Sequence, residues 1–165
     1  MKTFKENKGF TLIELLAVIV VLAIVTVIAT RTILPYMANA GRDTFVTEAN
    51  LAIGGASDAM SIISLGQAPA GSYTTGKDAS NNVLYCFTLD NLNTIGSWAK
   101  DDDSYDGRVV VTVPASGGGY SYAVRMHNDD YYVESAEGTV KEDNAAKYDK
   151  DNLHKDKVFD CSDVK

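Results

Sequence analysis

Between Phe10 and Ala29 the chain carries one charge, Glu14, in an otherwise uncharged and mostly apolar run of twenty residues. As a helix such a run is about 30 Å long, roughly the thickness of a bilayer's hydrocarbon core. A charged residue within a membrane span is costly, with estimates starting at about 2.5 kcal/mol at the helix centre. Glu14 stands near one end, where the cost is lower, yet Gln or Ser would avoid it altogether. A carboxylate kept in such a segment points to function and calls for a partner.

Ahead of the run lies a short basic leader, residues 1–9, with Lys2, Lys5 and Lys8 against Glu6. Positive flanks stay on the cytoplasmic side, so residues beyond Ala29 are expected outside. Three readings compete. A secretory signal has an apolar core of about 7–15 residues and a small-residue cleavage site; this core is longer and no A-x-A site follows it. A plain signal anchor fits length and orientation but leaves Glu14 unexplained. The third reading places a cut before the run, between Gly9 and Phe10.

The string Lys8-Gly9-Phe10-Thr11-Leu12-Ile13-Glu14 resembles the class III signal of type IV pilins and their relatives. The likeness covers about residues 7 to 30. It combines Gly before the cut, Phe after it, Glu four residues further on, and an apolar helix behind. The resemblance implies that a membrane peptidase cuts after Gly9 and that the same enzyme N-methylates the new terminal Phe10. It also implies that Glu14 meets the methylated amine of a neighbouring subunit during assembly. The stretch Leu15 to Ile24 is similar to pilin anchors of Gram-positive bacteria. The family commonly carries Pro near residue 31 and Gly midway along the anchor. Here the first Pro is Pro35 and the anchor core holds no Gly, so local melting of the helix on assembly is expected nearer Pro35 and Gly41, if it occurs.

The whole chain has a formal charge of −7. Losing the leader, with three lysines and one glutamate, takes it to −9. That acidity argues against non-specific nucleic-acid binding, and no specific nucleic acid is expected. Cys86 and Cys161 are both placed outside the membrane, where disulfides persist. A bond between them would tie the C-terminal tail to the start of a sheet; two buried free thiols, or a contact between subunits, are the alternatives. The family often staples its C-terminal region in this way.

Past the anchor, Phe45, Ala49, Ala52, Ala56, Met60 and Ile63 recur at steps of three and four, the mark of a one-sided helix. Gly66, Pro69 and Gly71 end it. One helix is therefore expected from about Phe10 to Leu65, with Pro35, Gly41 and Gly54–Gly55 as bends or close-packing points. Strand signals follow at Val83–Leu89, Val109–Val113, Tyr120–Met126 and Tyr131–Val133, with a loop or short helix over Asp90–Trp98. Turns at Gly117–Gly119 and Asn128–Asp130 make the last three an antiparallel meander. From Glu134 onward the text is polar and reads as a surface-wrapping tail anchored by Val158, Phe159 and Cys161. The fold class is α+β: a long N-terminal helix on an antiparallel meander with a disulfide-stapled tail. The expected divisions are a leader at 1–9, a transmembrane and filament-core helix at 10–30, an amphipathic helix at 31–65 and an extracellular β domain at 66–165.

Asp102, Ser104 and Asp106 open a string like a calcium loop, but the expected bidentate Glu falls at Val113, so a solvated acidic turn is the better reading. His127 and His154 are far apart in sequence and read as surface residues. Trp98 and the many tyrosines read as core or subunit contacts, with an adhesive aromatic patch as the alternative. No catalytic motif is visible, and neither an enzyme nor a cofactor is expected.

The reading that follows is a structural pilin without chemistry of its own. By the resemblance, its partners are further copies of itself, other pilins, a prepilin peptidase with N-methyltransferase activity, a pilus assembly platform, and the membrane before assembly. It would be a single-pass membrane precursor and then an extracellular pilus subunit. A pseudopilin of a secretion or DNA-uptake system, or a membrane-anchored adhesin, are the alternatives.

Overall fold

The structure is a computed structural model and describes residues 11–68, 71–95, 105–149, 151 and 156–164. The chain divides between Ala40 and Gly41 into two units. One helix, α1, is assigned over Leu12–Ser64, close to the span that the sequence pattern predicts.

In the first unit α1 has no buried face. Every side chain from 11 to 28 is exposed, as expected for a segment apolar all round, which needs lipid or other helices as its surroundings. Its most apolar 18-residue window has a mean hydropathy of 3.1, enough by length and composition to cross a membrane. The polar side chains within it turn back on their own helix. Thr26, Thr30 and Thr32 donate their hydroxyls to the carbonyls of Leu22, Thr26 and Ile28, at 2.7, 2.8 and 3.2 Å. These three hydroxyls are thus satisfied without water, which a hydrocarbon environment demands. Helix assignment continues through Pro35, whose missing N–H leaves the Arg31 carbonyl without its usual helical donor.

In the second unit α1 becomes one-sided, as its periodicity requires. Phe45, Ala49, Ala52 and Ala56 are fully buried and Met60 nearly so, with Ile63 half-buried against the same core. Three of these are alanines, which let the helix backbone approach a sheet closely. The helix stops at Gly66, where φ is +70°. Gly66 and Gln67 donate their amides to the carbonyls of Ile63 and Ile62, a Schellman ending that favours glycine at the left-handed position.

The sheet has six strands, all antiparallel neighbours in chain order. They are β1 (Thr74–Lys77), β2 (Val83–Thr88), β3 (Asp106–Val113), β4 (Ser121–His127), β5 (Tyr131–Ser135) and β6 (Ala145–Lys147). A short helix, α2 (Leu89–Ile95), follows β2. Alternate residues Phe87, Val109, Val111, Val124, Met126 and Val133 join the core with the α1 stripe. Complete burial of such a side chain contributes about 1.5–3 kcal/mol. Phe45 lies between Tyr105 and Tyr131, at ring distances of 6.2 and 5.8 Å. Gly107 is fixed by the sheet rather than by its dihedrals. A Cβ there would stand 2.4 Å from the Cβ of Met126 and 2.6 Å from the Arg125 carbonyl oxygen.

The predicted meander is present, and the turns fall where glycine and asparagine place them. Gly117 and Gly118 take φ of +78° and +127°. The Asn128 side-chain oxygen accepts from the amides of Asp130 and Tyr131. Two strands exceed the sequence expectation. β1 and β6 are short, poor in β-branched residues apart from Thr74 and Thr75, and exist because a neighbouring strand offers its hydrogen bonds. The segment after Glu134 is therefore not all surface tail: β5 runs to Ser135, Val140 is buried, and β6 closes the sheet's edge. Val140 is held by Asn50 of α1. The Asn50 amide donates to the Val140 carbonyl at 2.9 Å, and its oxygen accepts from the Val140 amide at 2.8 Å. One side chain thus satisfies both backbone groups of a residue outside any strand.

Candidate functional site

Glu14 sits in the first turn of α1 and is exposed. Its Oε2 accepts from the Thr11 amide at 2.9 Å and from the Thr11 hydroxyl at 2.7 Å. The Glu14 amide points back to the Thr11 hydroxyl oxygen, 3.4 Å away. This is a capping box: Thr11 caps the helix and Glu14, at its third position, reciprocates. A carboxylate also suits the positive end of the helix dipole. Glu14 therefore has a local role besides any role between molecules. The pattern is legible as Thr-x-x-Glu at Thr11–Glu14, a signal that the sequence reading above did not use. Gly9 and Phe10 lie outside the described residues.

The second constellation lies on the sheet face opposite α1. Cys86, fully buried on β2, is joined to Cys161 by a disulfide. The two thiols are thus neither free nor left for a neighbouring subunit. Around the bridge, arginines of the sheet hold residues 157–163. Arg108, buried on β3, donates to both carboxylate oxygens of Asp163 and to the Asp160 carbonyl. Arg125 on β4 donates to Glu134 and, at 3.0 Å, to the Val158 carbonyl. Lys157 and the Tyr132 hydroxyl both reach Glu134 Oε2 at 2.6 Å. Val158 and Phe159 are half-buried, in line with the anchors expected from sequence. The arginine contacts to the tail were not legible there, because Arg108 and Arg125 reach it across 33 to 55 residues of sequence.

These contacts set the charge states. Burial alone would raise the Glu134 carboxyl, but hydrogen bonds from Lys157, Tyr132 and Arg125 outweigh it and hold the group down at about 2. The hydrogen bond from Arg108 likewise lowers Asp163. A depressed folded pKa means stability that is complete above the ordinary carboxylate range, about 4, and lost as pH falls toward the folded value. Residues 157–163 should therefore loosen between about pH 4 and pH 2 while the bridge keeps them tethered. NMR titration of the Glu134 carboxyl carbon checks this. A midpoint at or above the ordinary glutamate value would contradict the network.

His127 corrects the expectation of a surface histidine. Its side chain is 18% exposed. It stacks on Tyr148 at 4.0 Å and meets Phe159 edge-on at 4.3 Å, with Nε2 3.8 Å from Asp106. Of the weak calcium string, Asp106 opens β3, while Asp102 and Ser104 lie outside the described residues, as do His154 and Trp98. Among the described residues no group of three or more His, Cys, Asp or Glu side chains is arranged to hold a metal ion.

Residues 4–30 match the family model for the prokaryotic N-terminal methylation motif. The matched stretch takes in the Gly9–Phe10 junction, Glu14 and the apolar segment up to Thr30. This chain thus carries a type IV pilin-like prepilin signal, of the kind that pilins and pseudopilins share. No curated protein and no solved structure matches it.

Proposed function

We propose that this chain is a prepilin whose mature form begins at Phe10 and polymerises into a type IV pilus. The observation that carries the reading is the coincidence of the methylation motif over residues 4–30 with a helical segment exposed on every side from 11 to 28. Such a segment needs a bilayer before assembly and neighbouring copies after it. In this reading residues 1–9 are the leader, 10–30 the membrane and filament-core helix, 31–65 the one-sided helix and 66–165 the extracellular domain. A prepilin peptidase with methyltransferase activity acts at Gly9 and Phe10, and an assembly platform then moves the subunit outward. Glu14 pairs with the methylated amine of Phe10 on an adjacent subunit. The bridge between Cys86 and Cys161 suits an oxidising exterior. The same signal would serve a pseudopilin, which differs in building a short filament confined to a secretion or uptake machine.

The test is the intact mass of material sheared from the cell surface. The expected chain starts at Phe10, carries one methyl group on its amine and contains one disulfide. Filaments built from chains that retain residues 1–9 would overturn the proposal. Chains cut at Phe10 but never found in surface filaments would instead favour the pseudopilin.

A further inference from the structure

Between residues 11 and 40 the chain has one acid, Glu14, and one base, Arg31. Both side chains are exposed on α1. They lie 17 residues apart, about 25 Å along a helix axis and about 100° around it. A membrane inserts every copy in the same direction, so neighbouring helices are parallel. With two parallel copies level, Glu14 faces Glu14 and Arg31 faces Arg31, and both contacts repel. An antiparallel pair would match the charges but is forbidden by topology. Besides the contact of Glu14 with a neighbour's Phe10 amine, the arrangement that joins opposite charges is a parallel pair with one copy raised by 17 residues.

We infer that Arg31 receives Glu14 of a second copy raised by about 25 Å, and that this pair sets the register in which subunits add. The inference rests on the filament reading and adds a second cation to Glu14 beside the Phe10 amine. Two features of the helix fit it. Oε2 of Glu14 takes both hydrogen bonds from Thr11, which leaves Oε1 to face another molecule. Beyond Arg31 the helix still exposes Ile33, Tyr36 and Met37, at 53%, 79% and 64%. In a bilayer spanned by the apolar run, Arg31 at its end would sit among the headgroups and these residues would lie beyond the lipid tails. A copy raised by about 25 Å sets its own apolar residues from 15 onward beside that collar. The step is close to the bilayer's hydrocarbon thickness of about 30 Å, so taking the register nearly extracts the raised helix.

The contact is heterologous: one copy offers its Glu14 side and the other its Arg31 side. A heterologous contact leaves an unused half at each end and grows into an open fibre unless it closes into a ring. The axial step excludes a flat ring. The turn of about 100° between the two faces makes successive contacts wind rather than run straight.

The experiment replaces the native chain with Arg31→Gln, Arg31→Lys, or a double variant with Val21→Cys and Ala38→Cys. Val21 and Ala38 lie seven residues beyond Glu14 and Arg31, on the same two faces. Arg31→Gln should keep its membrane level within twofold and lose at least tenfold of sheared filament, and Arg31→Lys should restore most of it. Oxidised filaments of the double-cysteine chain should give a ladder of crosslinked chains, and either cysteine alone should not. Native filament yield from Arg31→Gln, or double-cysteine filaments without a ladder, would overturn the register. If the native chain itself forms no filaments, the filament reading falls and the register with it. Native filaments without the ladder remove the register alone.

Discussion

Glu14→Ala is expected to leave membrane insertion intact, or slightly improved, and to abolish filaments. Replacing the carboxylate removes the one charge from the apolar run, so partition into the bilayer should not suffer. Leader cleavage should survive as well, because the cut needs Gly9 and a reachable backbone. Two things are lost. The first is local: Oε2 no longer accepts from the Thr11 amide and hydroxyl, and removing a capping interaction costs about 0.5–2 kcal/mol of helix stability. The second is between molecules: the Phe10 amine of a neighbour would be buried without its anion, a penalty of about 3–5 kcal/mol for half of a broken buried pair. Glu14→Gln separates the two. Its amide oxygen can still accept from Thr11, so the cap is largely kept while the charge is gone. If assembly fails in Glu14→Gln as fully as in Glu14→Ala, the charge is the requirement. Comparing membrane and sheared-surface fractions by immunoblot reads both variants. Abundant filaments built of Glu14→Ala alone would show that Glu14 is not the assembly contact.

Cys161→Ser is expected to destabilise the second unit by several kcal/mol and to lower the amount of protein at the surface. The bridge to Cys86 closes a loop spanning a sequence separation of 75. In the chain-entropy description, removing such a cross-link costs about 4–5 kcal/mol, and loss of native bridges generally costs about 2–5 kcal/mol. The loss is not confined to entropy. Arg108 is buried, and it donates to the Asp163 carboxylate and the Asp160 carbonyl, which flank Cys161. If the tail departs, Arg108 loses both partners together. The variant should therefore also show early proteolysis after Lys157. Thermal melting of the oxidised protein followed by circular dichroism, with and without the substitution, measures the effect. A midpoint unchanged within about 2 °C would mean that the arginine clamps alone hold the tail, since about 1 kcal/mol moves a domain of this size by several degrees.

Local pattern carried much of this fold. The α1 stripe from Phe45 to Ile63 was legible because a helix against a sheet repeats its buried residues every three to four positions. Val109–Val113 and Tyr120–Met126 were legible because they are β-branched or alternating. β6 was not: Ala145-Ala146-Lys147 has no strand preference of its own and is held by its pairing with β5. Asn50 reads as one more polar position on the helix, and only the fold brings Val140 to it. His127 misled because its ring partners, Tyr148 and Phe159, lie 21 and 32 residues downstream. At the candidate site the opposite held. Gly9, Phe10 and Glu14 fall within six residues of sequence, so the motif that matches residues 4–30 is a local pattern. The arginine partners of residues 157–163 form only after folding and leave no local trace.

The bridge between Cys86 and Cys161 also changes how the chain would behave under mechanical load. Tension along a polymer of such subunits enters through α1 and tends to pull the chain out from that end. A stretch of 75 residues could lengthen to about 250–270 Å if it were free. The covalent loop withholds that slack. Force arriving at Cys86 passes directly to Cys161, bypassing β3, β4, β5 and β6, so a strained subunit yields only the segment ahead of β2's cysteine. In such a polymer the stapled tail would act as a stop on extension and keep most of the sheet folded under tension.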